Sequence, residues 1–577
     1  MKLELQQGSR SKILAAILIG VVAIFVVRLF YLQVIEHSKY AALADNSQLK
    51  RLEIPAKRGE IYTMDDSTPT KLVLNQAVYT LFADPQTVVD TAKVKDVVQR
   101  VAGGNLRPGI DDMLANKKSR YQILAKGLSR TQADLIKKES LAGIGFQEET
   151  QRVYPEGQLA AQTLGFVNAE GKGQYGIEGK LNDRLTGTPG LLQSVTDISN
   201  VPLTIGDRNI NKPAKNGDNI VLSIDRNVQS YAESALVKGL EKAGATKGSV
   251  IVMDPQTGKV MAMANYPTFN PAEFTKVQDG SDFTNATVSV PYEPASVLKT
   301  FTMATGIDQG VMTADTTFVN NDTIQIEDRI INNAVKGHRG TLTMQQALNW
   351  SLNTGTVEMA QRMGGGSINR EARDTLYAYY HDRFGLGQLT GVEVSGETEG
   401  NVISPAEQEG NAVRYANMTF GQGLDVTMVQ VAAGFSSIVN GGHYYKPTVL
   451  NGVMQPNGNF MQYQVSAPRT TIKESTSAQM RDMTIAARKS FFVNQDKAGY
   501  MIGGKTGTSE TLINGKYVKN QTIGSYLGFG GDDVPKYVIM VQVSADGKNL
   551  EGGIHAGPIF TDISNWMIDY LKLQPKG

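Results

Sequence analysis

The sequence predicts a multidomain α+β protein. It has one N-terminal transmembrane helix, an elongated N-terminal module, and a C-terminal domain built on an antiparallel sheet covered by helices. Three observations predict this. An apolar run fills residues 13–35, a polar stretch interrupts the chain at 209–219, and strand-like and helix-like segments then alternate to the end. The 577 residues are enough for several domains.

Ile13 to Val27 is unbroken apolar sequence, and beyond Arg28 the run continues from Leu29 to Ile35. At about 1.5 Å per residue it can cross a hydrocarbon core of about 30 Å. Arg28 lies near the far end, where a long side chain can reach the interface. Lys2, Arg10 and Lys12 precede the run against Glu4. The excess of positive charge places residues 1–12 in the cytoplasm as a short tail and the chain after the span outside the membrane. No small-x-small cleavage site follows the run, which argues against a cleaved signal peptide.

Residues 36–208 form the N-terminal module. Strand-like runs such as Tyr79–Phe82 mix there with helical stretches such as Thr131–Ser140, punctuated by Pro155, Gly157, Gly187, Pro189 and Gly190. Asn209 to Asn219, rich in Asn, Lys and Pro, reads as a linker. Ile220 to Asp225 then opens the C-terminal domain, 220–577, with a strand. An amphipathic helix follows at Arg226–Ala243. Next comes a hairpin of Gly248–Asp254 and Lys259–Asn265 about the turn Pro255–Gly258. Ile523–Gly530 and Lys536–Val543 are further strands, and Ile559–Leu573 is helical.

Composition removes several function classes. A net charge of +1 gives no global field for nucleic acid, so no nucleic-acid partner is expected. The absence of cysteine excludes a thiol nucleophile, disulfides and Cys-ligated metals. His37, His338, His381, His443 and His555 have no metal-ligand spacing, so neither metal nor cofactor is expected.

Three short motifs carry the chemistry. Ser296 and Lys299 form a Ser-x-x-Lys, Ser351 and Asn353 a Ser-x-Asn, and Lys505, Thr506, Gly507 and Thr508 a Lys-Thr-Gly-Thr. Ser-x-x-Lys also occurs at Ser9–Lys12 and Ser47–Lys50, and Ser-x-Asn at Ser367–Asn369, so order and setting matter more than any single match. Positions i and i+3 share a helix face, and Pro294 stands where helices often start, so Lys299 can reach Ser296 Oγ. A serine hydroxyl needs a base, and a desolvated lysine beside another cation, here Lys505, can be neutral enough to serve. Ser351 follows an expected helix at Leu342–Trp350 and can relay a proton, while Asn353 offers a donor and an acceptor to a substrate amide. The Lys-Thr-Gly segment reads as an edge strand able to pair with an extended peptide. Lys505, Thr506 and Thr508 suit a carboxylate, and the backbone amides of Ser296 and Thr508 are placed to face an oxyanion.

Together the motifs resemble those of penicillin-binding proteins and serine β-lactamases. The N-terminal half narrows the resemblance to class B, the monofunctional transpeptidases. Arg58 to Ile61 resembles the first box of their N-terminal pedestal or dimerisation module. Arg152, Tyr154, Pro155, Gly157, Leu159 and Ala160, through Gly165 to Asn168, resemble the second, and Gly176 to Glu178 the third. Tyr62 to Asp66 departs from the usual Asp-Arg-Asn-Gly. Ser351-Leu-Asn353-Thr-Gly resembles the FtsI-like cell-division branch, where the elongation branch more often carries Ser-x-Asp. The resemblance implies a serine peptidoglycan D,D-transpeptidase that takes D-Ala-D-Ala stem peptides, is acylated by β-lactams, and works in septal wall synthesis. It also implies an FtsW-like SEDS glycosyltransferase and divisome proteins as partners. The alternatives are an elongation-specific class B enzyme, a membrane-anchored β-lactamase, and a non-enzymatic β-lactam sensor.

Overall fold

The computed structural model describes residues 7–40, 49–195, 210–513 and 516–576. The chain divides into two compact units, residues 1–58 with 186–217, and residues 59–185 with 218–577.

In the first unit the helix Gln7–Phe30 runs on as a wider turn, Tyr31–Ile35. Its segment Arg10–Ile35, near the N-terminus, holds an 18-residue window with a mean hydropathy of 2.9 and is long and apolar enough to cross a membrane. The unit also holds a three-stranded antiparallel sheet of Leu49–Ile54, Gly190–Val195 and Ile210–Lys212. The polar stretch expected as a linker thus contributes a strand, with Lys212 opposite Leu191. Strand pairing satisfies the backbone there whatever the side chains are. Asn209 lies outside the described residues.

The second unit contains two large sheets. In one, the strand Asn219–Asp225 lies parallel to Ile61–Asp65 and antiparallel to Leu450–Met454. Ile61–Asp65 pairs in turn with the long strand Thr68–Ala83. The expected strand at Tyr79–Phe82 is only the end of that element. Its pairing with Ile144–Val153 runs unbroken from Leu74 to Ala83, which carries Asn75 and Gln76 in strand conformation despite their polarity. The expected helix at Thr131–Ser140 is Arg130–Lys138, started by a capping box between Ser129 and Gln132.

The three sequence boxes of this region meet at one buried ion pair. Arg152 Nε lies 2.7 Å from Glu178 Oε1, and the two side chains are 5% and 0% exposed. The Arg152 guanidinium also donates to the Gly59 carbonyl and to Asn75 Oδ1.

The second sheet is antiparallel throughout, in the order Val260–Tyr266, Lys247–Met253, Pro535–Ser544, Lys516–Gly531, Met501–Ile513. Both faces are buried, and side chains alternate between two cores. From Pro535–Ser544, Val538 and Met540 join Phe301, Val429, Phe435 and Met480 of the helices on one side. Tyr537, Ile539, Val541 and Val543 join Val228, Leu236, Ile559 and Ile563 on the other. The helix Met428–Val439 is mostly apolar and wholly buried, and its polar side chains Gln430, Ser436 and Ser437 are hydrogen-bonded. Arg226–Ala243 is a helix with the expected bounds, and the C-terminal helix is Gly557–Tyr570. Met501–Ile513 ends the sheet, so its outer edge is unpaired by any described strand.

Candidate active site

Ser296 sits in a single 3-10 turn, Ala295–Leu298, and Lys299 opens the α-helix Lys299–Asp308. The expected continuous helix is therefore tighter at its start. Three residues per turn stack i over i+3, so the two motif positions still share a side. The cause of the tightening is local. Ala295 holds φ +50°, a left-handed conformation that an alanine adopts only under constraint. Its amide donates to the Gly421 carbonyl. A side chain at Gly421 would come within 2.0 Å of the Ala295 carbonyl oxygen, so only glycine permits that approach.

Ser351 follows a shorter helix than expected, Met344–Asn349, because Leu342 is held in the strand Gly340–Thr343 and Thr343 caps the helix with Gln346. Ser351 itself has φ +57°. The turn brings three oxygens to one amine. Lys299 Nζ donates to the Ser351 carbonyl at 2.5 Å, to Asn353 Oδ1 at 2.7 Å and to Ser351 Oγ at 3.2 Å. Asn353 Nδ2 donates to the Asn332 carbonyl at 2.8 Å, so both ends of this amide are engaged.

Lys505 to Thr508 lie on the edge strand. Lys505, Gly507 and Ser509 are buried, whereas Thr506 is half-buried and Thr508 and Glu510 are exposed, the period of two that a strand imposes. Gly507 packs on the Ser296 turn: a Cβ there would meet the Pro294 carbonyl at 3.0 Å and Val297 Cγ1 at 3.1 Å. Lys505 Nζ donates to the Thr506 carbonyl and Oγ1 at 3.2 and 3.1 Å. The Thr508 hydroxyl accepts from the Gly552 amide at 3.1 Å. Gly552 belongs to a turn, Gly552–Ala556, that sequence reasoning did not single out.

Burial sets the electrostatics. Lys299 is wholly buried, and its amine is driven well below the usual lysine range, by desolvation first and then by the charge of Lys505. Burial alone brings Lys505 down to about 7. The structure therefore joins the three motifs at one pair of facing amines. Ser9–Lys12 lies within the apolar N-terminal helix, and Ser47 lies outside the described residues. Asn369 caps the helix Arg370–Tyr377 by accepting from the Ala372 amide.

Residues 248–565 match the family model of the penicillin binding protein transpeptidase domain, and residues 53–222 match that of the penicillin-binding protein dimerisation domain. The chain belongs to the penicillin-binding protein family. It is a class B member, an enzyme of the transpeptidase class. Among similar proteins, stage V sporulation protein D of Bacillus subtilis is 29% identical over 98% of this chain and 87% of its own length. Peptidoglycan D,D-transpeptidase FtsI of Escherichia coli is 27% identical over 98% of this chain and 92% of its own. Penicillin binding protein 2X of Streptococcus thermophilus shares the fold, with a TM-score of 0.74 at 23% identity, covering 91% of this penicillin-binding protein and 80% of that chain.

Proposed function

We propose that this penicillin-binding protein cross-links peptidoglycan stem peptides through an acyl-enzyme on Ser296. The observation that carries the reading is the buried Lys299 amine, which feels the charge of Lys505 and, among the described residues, has no carboxylate to hold it charged. A neutral amine has only two hydrogens to donate. Of the three oxygens around Lys299, Ser351 Oγ alone carries a hydrogen that can be returned, so Ser351 reverses its bond when Lys299 gives up its proton.

Ser296 Oγ attacks the carbonyl between the two terminal D-Ala residues, and its proton passes to Lys299. The amides of Ser296 and Thr508 hold the developing oxyanion. The C–N bond then breaks, and the departing D-Ala amine takes a proton relayed through Ser351. The amine of a second stem peptide attacks the ester, forms the cross-link and returns the proton to Ser296. Lys505 and Thr506, with Thr508, hold the terminal carboxylate of the donor. β-Lactams carry a carboxylate in the equivalent place and stop the cycle at the ester. Tandem mass spectrometry of penicillin-treated protein tests this: the adduct is expected on Ser296 and absent from Ser296→Ala. An adduct on Ser9, Ser47 or Ser367 refutes the assignment.

The enzyme is proposed to act in septal synthesis with an FtsW-like glycosyltransferase and other divisome proteins. Support comes from the Ser-x-Asn-x-Gly form of the second motif and from the FtsI relative. Depletion is expected to give filaments; round cells would indicate elongation. Residues 1–12 are assigned to the cytoplasm, 13–35 to the span and the rest to the outside. In this cysteine-free chain, single cysteines placed at 5 and 280 test that with a membrane-impermeant maleimide, which should label only the latter in intact cells. Residues 36–208 are proposed as a non-catalytic pedestal, 209–219 as its connection and 220–577 as the catalytic part.

A further inference from the structure

Lys299 is held by a turn, and that turn is held in its own right by a separate loop. The helix Asn353–Met363 starts at Leu352, whose side chain offers no cap. The first amides of a helix have no partner within it. Asn333 supplies one from outside: its Oδ1 accepts from the Thr354 amide at 3.0 Å, while the neighbouring Asn332 carbonyl holds Asn353 Nδ2. Asn333 is itself fixed in a buried polar network. Its Nδ2 donates to Asn320 Oδ1 at 3.1 Å, and Thr354 Oγ1 donates to the same oxygen at 2.8 Å. Asn320 Nδ2 donates to the His338 carbonyl at 2.6 Å. Asp322 ties the loop's far side by accepting from the Gly337 amide and Arg339 Nε, each at 3.0 Å. Asn320, Asp322, Asn333 and Thr354 are all at most 3% exposed. Buried amides satisfied in this way resist displacement, because any shift leaves polar atoms unpaired.

We propose that Asn333 is a positioning residue for the transpeptidase reaction. It fixes the Ser351–Asn353 turn from outside and, through that turn, the place and hydrogen bonds of the Lys299 amine. The proposal rests on the reading of Lys299 as the base. Lys505 is the charged group that faces Lys299, and the turn supplies the oxygens that favour its protonated form. A loosened turn withdraws those oxygens, so the amine loses its proton at lower pH and also stands in the wrong place.

Stopped-flow acylation by a fluorescent penicillin across pH, normalised to titrated active sites, separates this from a purely structural cap. Asn333→Leu is expected to slow acylation per site about tenfold or more and to move the acid limb down by about half a pH unit. Asn333→Asp keeps an acceptor for the Thr354 amide but loses the donor to Asn320 Oδ1, and is expected to fall between Asn333→Leu and wild type. Thr354→Val keeps that amide but loses the hydroxyl, and should shift the limb in the same direction by less. If Asn333→Leu lowers only the melting temperature, with rate and limb per site unchanged, the proposal is overturned. If that variant yields no titratable protein, Thr354→Val decides, and an unmoved limb overturns it. Failure of wild type to acylate at Ser296 would instead remove the underlying reading of Lys299.

Discussion

The buried guanidinium of Arg152 meets a buried carboxylate, that of Glu178, whereas the buried amines of Lys299 and Lys505 meet each other. Both arrangements take cations out of water. In the first, the charge is matched and Arg152 Nη1 donates to the Gly59 carbonyl and to Asn75 Oδ1. In the second, no carboxylate among the described residues answers the charge, and both amines give up affinity for their protons. The difference teaches how to tell two uses of a buried cation. A compensated one holds strands together and is indifferent to chemistry. An uncompensated one weakens the fold and has the lowered proton affinity that the proposed base requires.

Substitutions at the two places should therefore separate cleanly. Lys299→Ala is expected to lower acylation by about 10²–10⁴-fold or more, the usual worth of a general acid–base group, while the protein still folds. Stopped-flow rates within a few-fold of wild type would remove Lys299 from the base role. Glu178→Gln leaves Arg152 buried without its countercharge and should destabilise the protein by about 3–5 kcal/mol. Its acylation rate per titrated site should stay near that of wild type, as chemical denaturation paired with active-site titration would show. A lost rate with kept stability would reverse the roles assigned to the two regions.

Thr506→Val probes the amine pair from the ligand side. One charge-assisted hydrogen bond contributes roughly 1.5–3 kcal/mol, so the variant should lose about 10- to 150-fold in acylation by a thioester bearing the terminal carboxylate. The methyl ester should be affected far less. Equal discrimination by both proteins would mean that the carboxylate is read elsewhere.

A further effect is expected on stability against pH. Lys505 titrates near 7 in the folded protein and near 10.5 when unfolded. Between those values the unfolded chain binds the extra proton, so this group's contribution to stability rises with pH, and it is least favourable below 7. Lys299 acts in the same direction. Lys505→Met should therefore exceed wild type in melting temperature most at pH 6–7, and the gap should narrow toward pH 9. A gap that widens with pH would contradict the sign.

Much of this was legible in the sequence because the relevant signals are local. The helix Arg226–Ala243, the hairpin about Pro255–Gly258 and the terminal strands follow from periodicity and turn residues. Partners were not legible. Ile220 to Asp225 reads as a strand, yet nothing in those residues reveals that it lies beside Ile61–Asp65 and not in the sheet of Lys505. The same limit applies at the site. Ser296, Ser351 and Lys505 are marked by motifs, but the Ser351 carbonyl on Lys299 and the Asn333 amide on Thr354 depend on backbone turns at positive φ and on a distant loop. Two Asn-Asn pairs, Asn320-Asn321 and Asn332-Asn333, each at the end of a short strand, are the traces of that loop in the sequence.

The glycines behind the edge strand bear on how such a protein can change under selection. A methyl group at Gly552 would lie 2.2 Å from the carbonyl oxygens of Gly507 and Ser525, and one at Gly507 would lie 2.4 Å from Ser525 Oγ. Gly552 is closed to every other amino acid unless the strand moves, and a moved strand displaces Lys505; at Gly507 the Ser525 hydroxyl would have to turn away and the Pro294 carbonyl to give way. Heritable escape from an inhibitor therefore has few doors here. It must come through outward-facing positions such as Glu510 and Leu512, where a new side chain meets solvent and incoming ligand before it meets the fold.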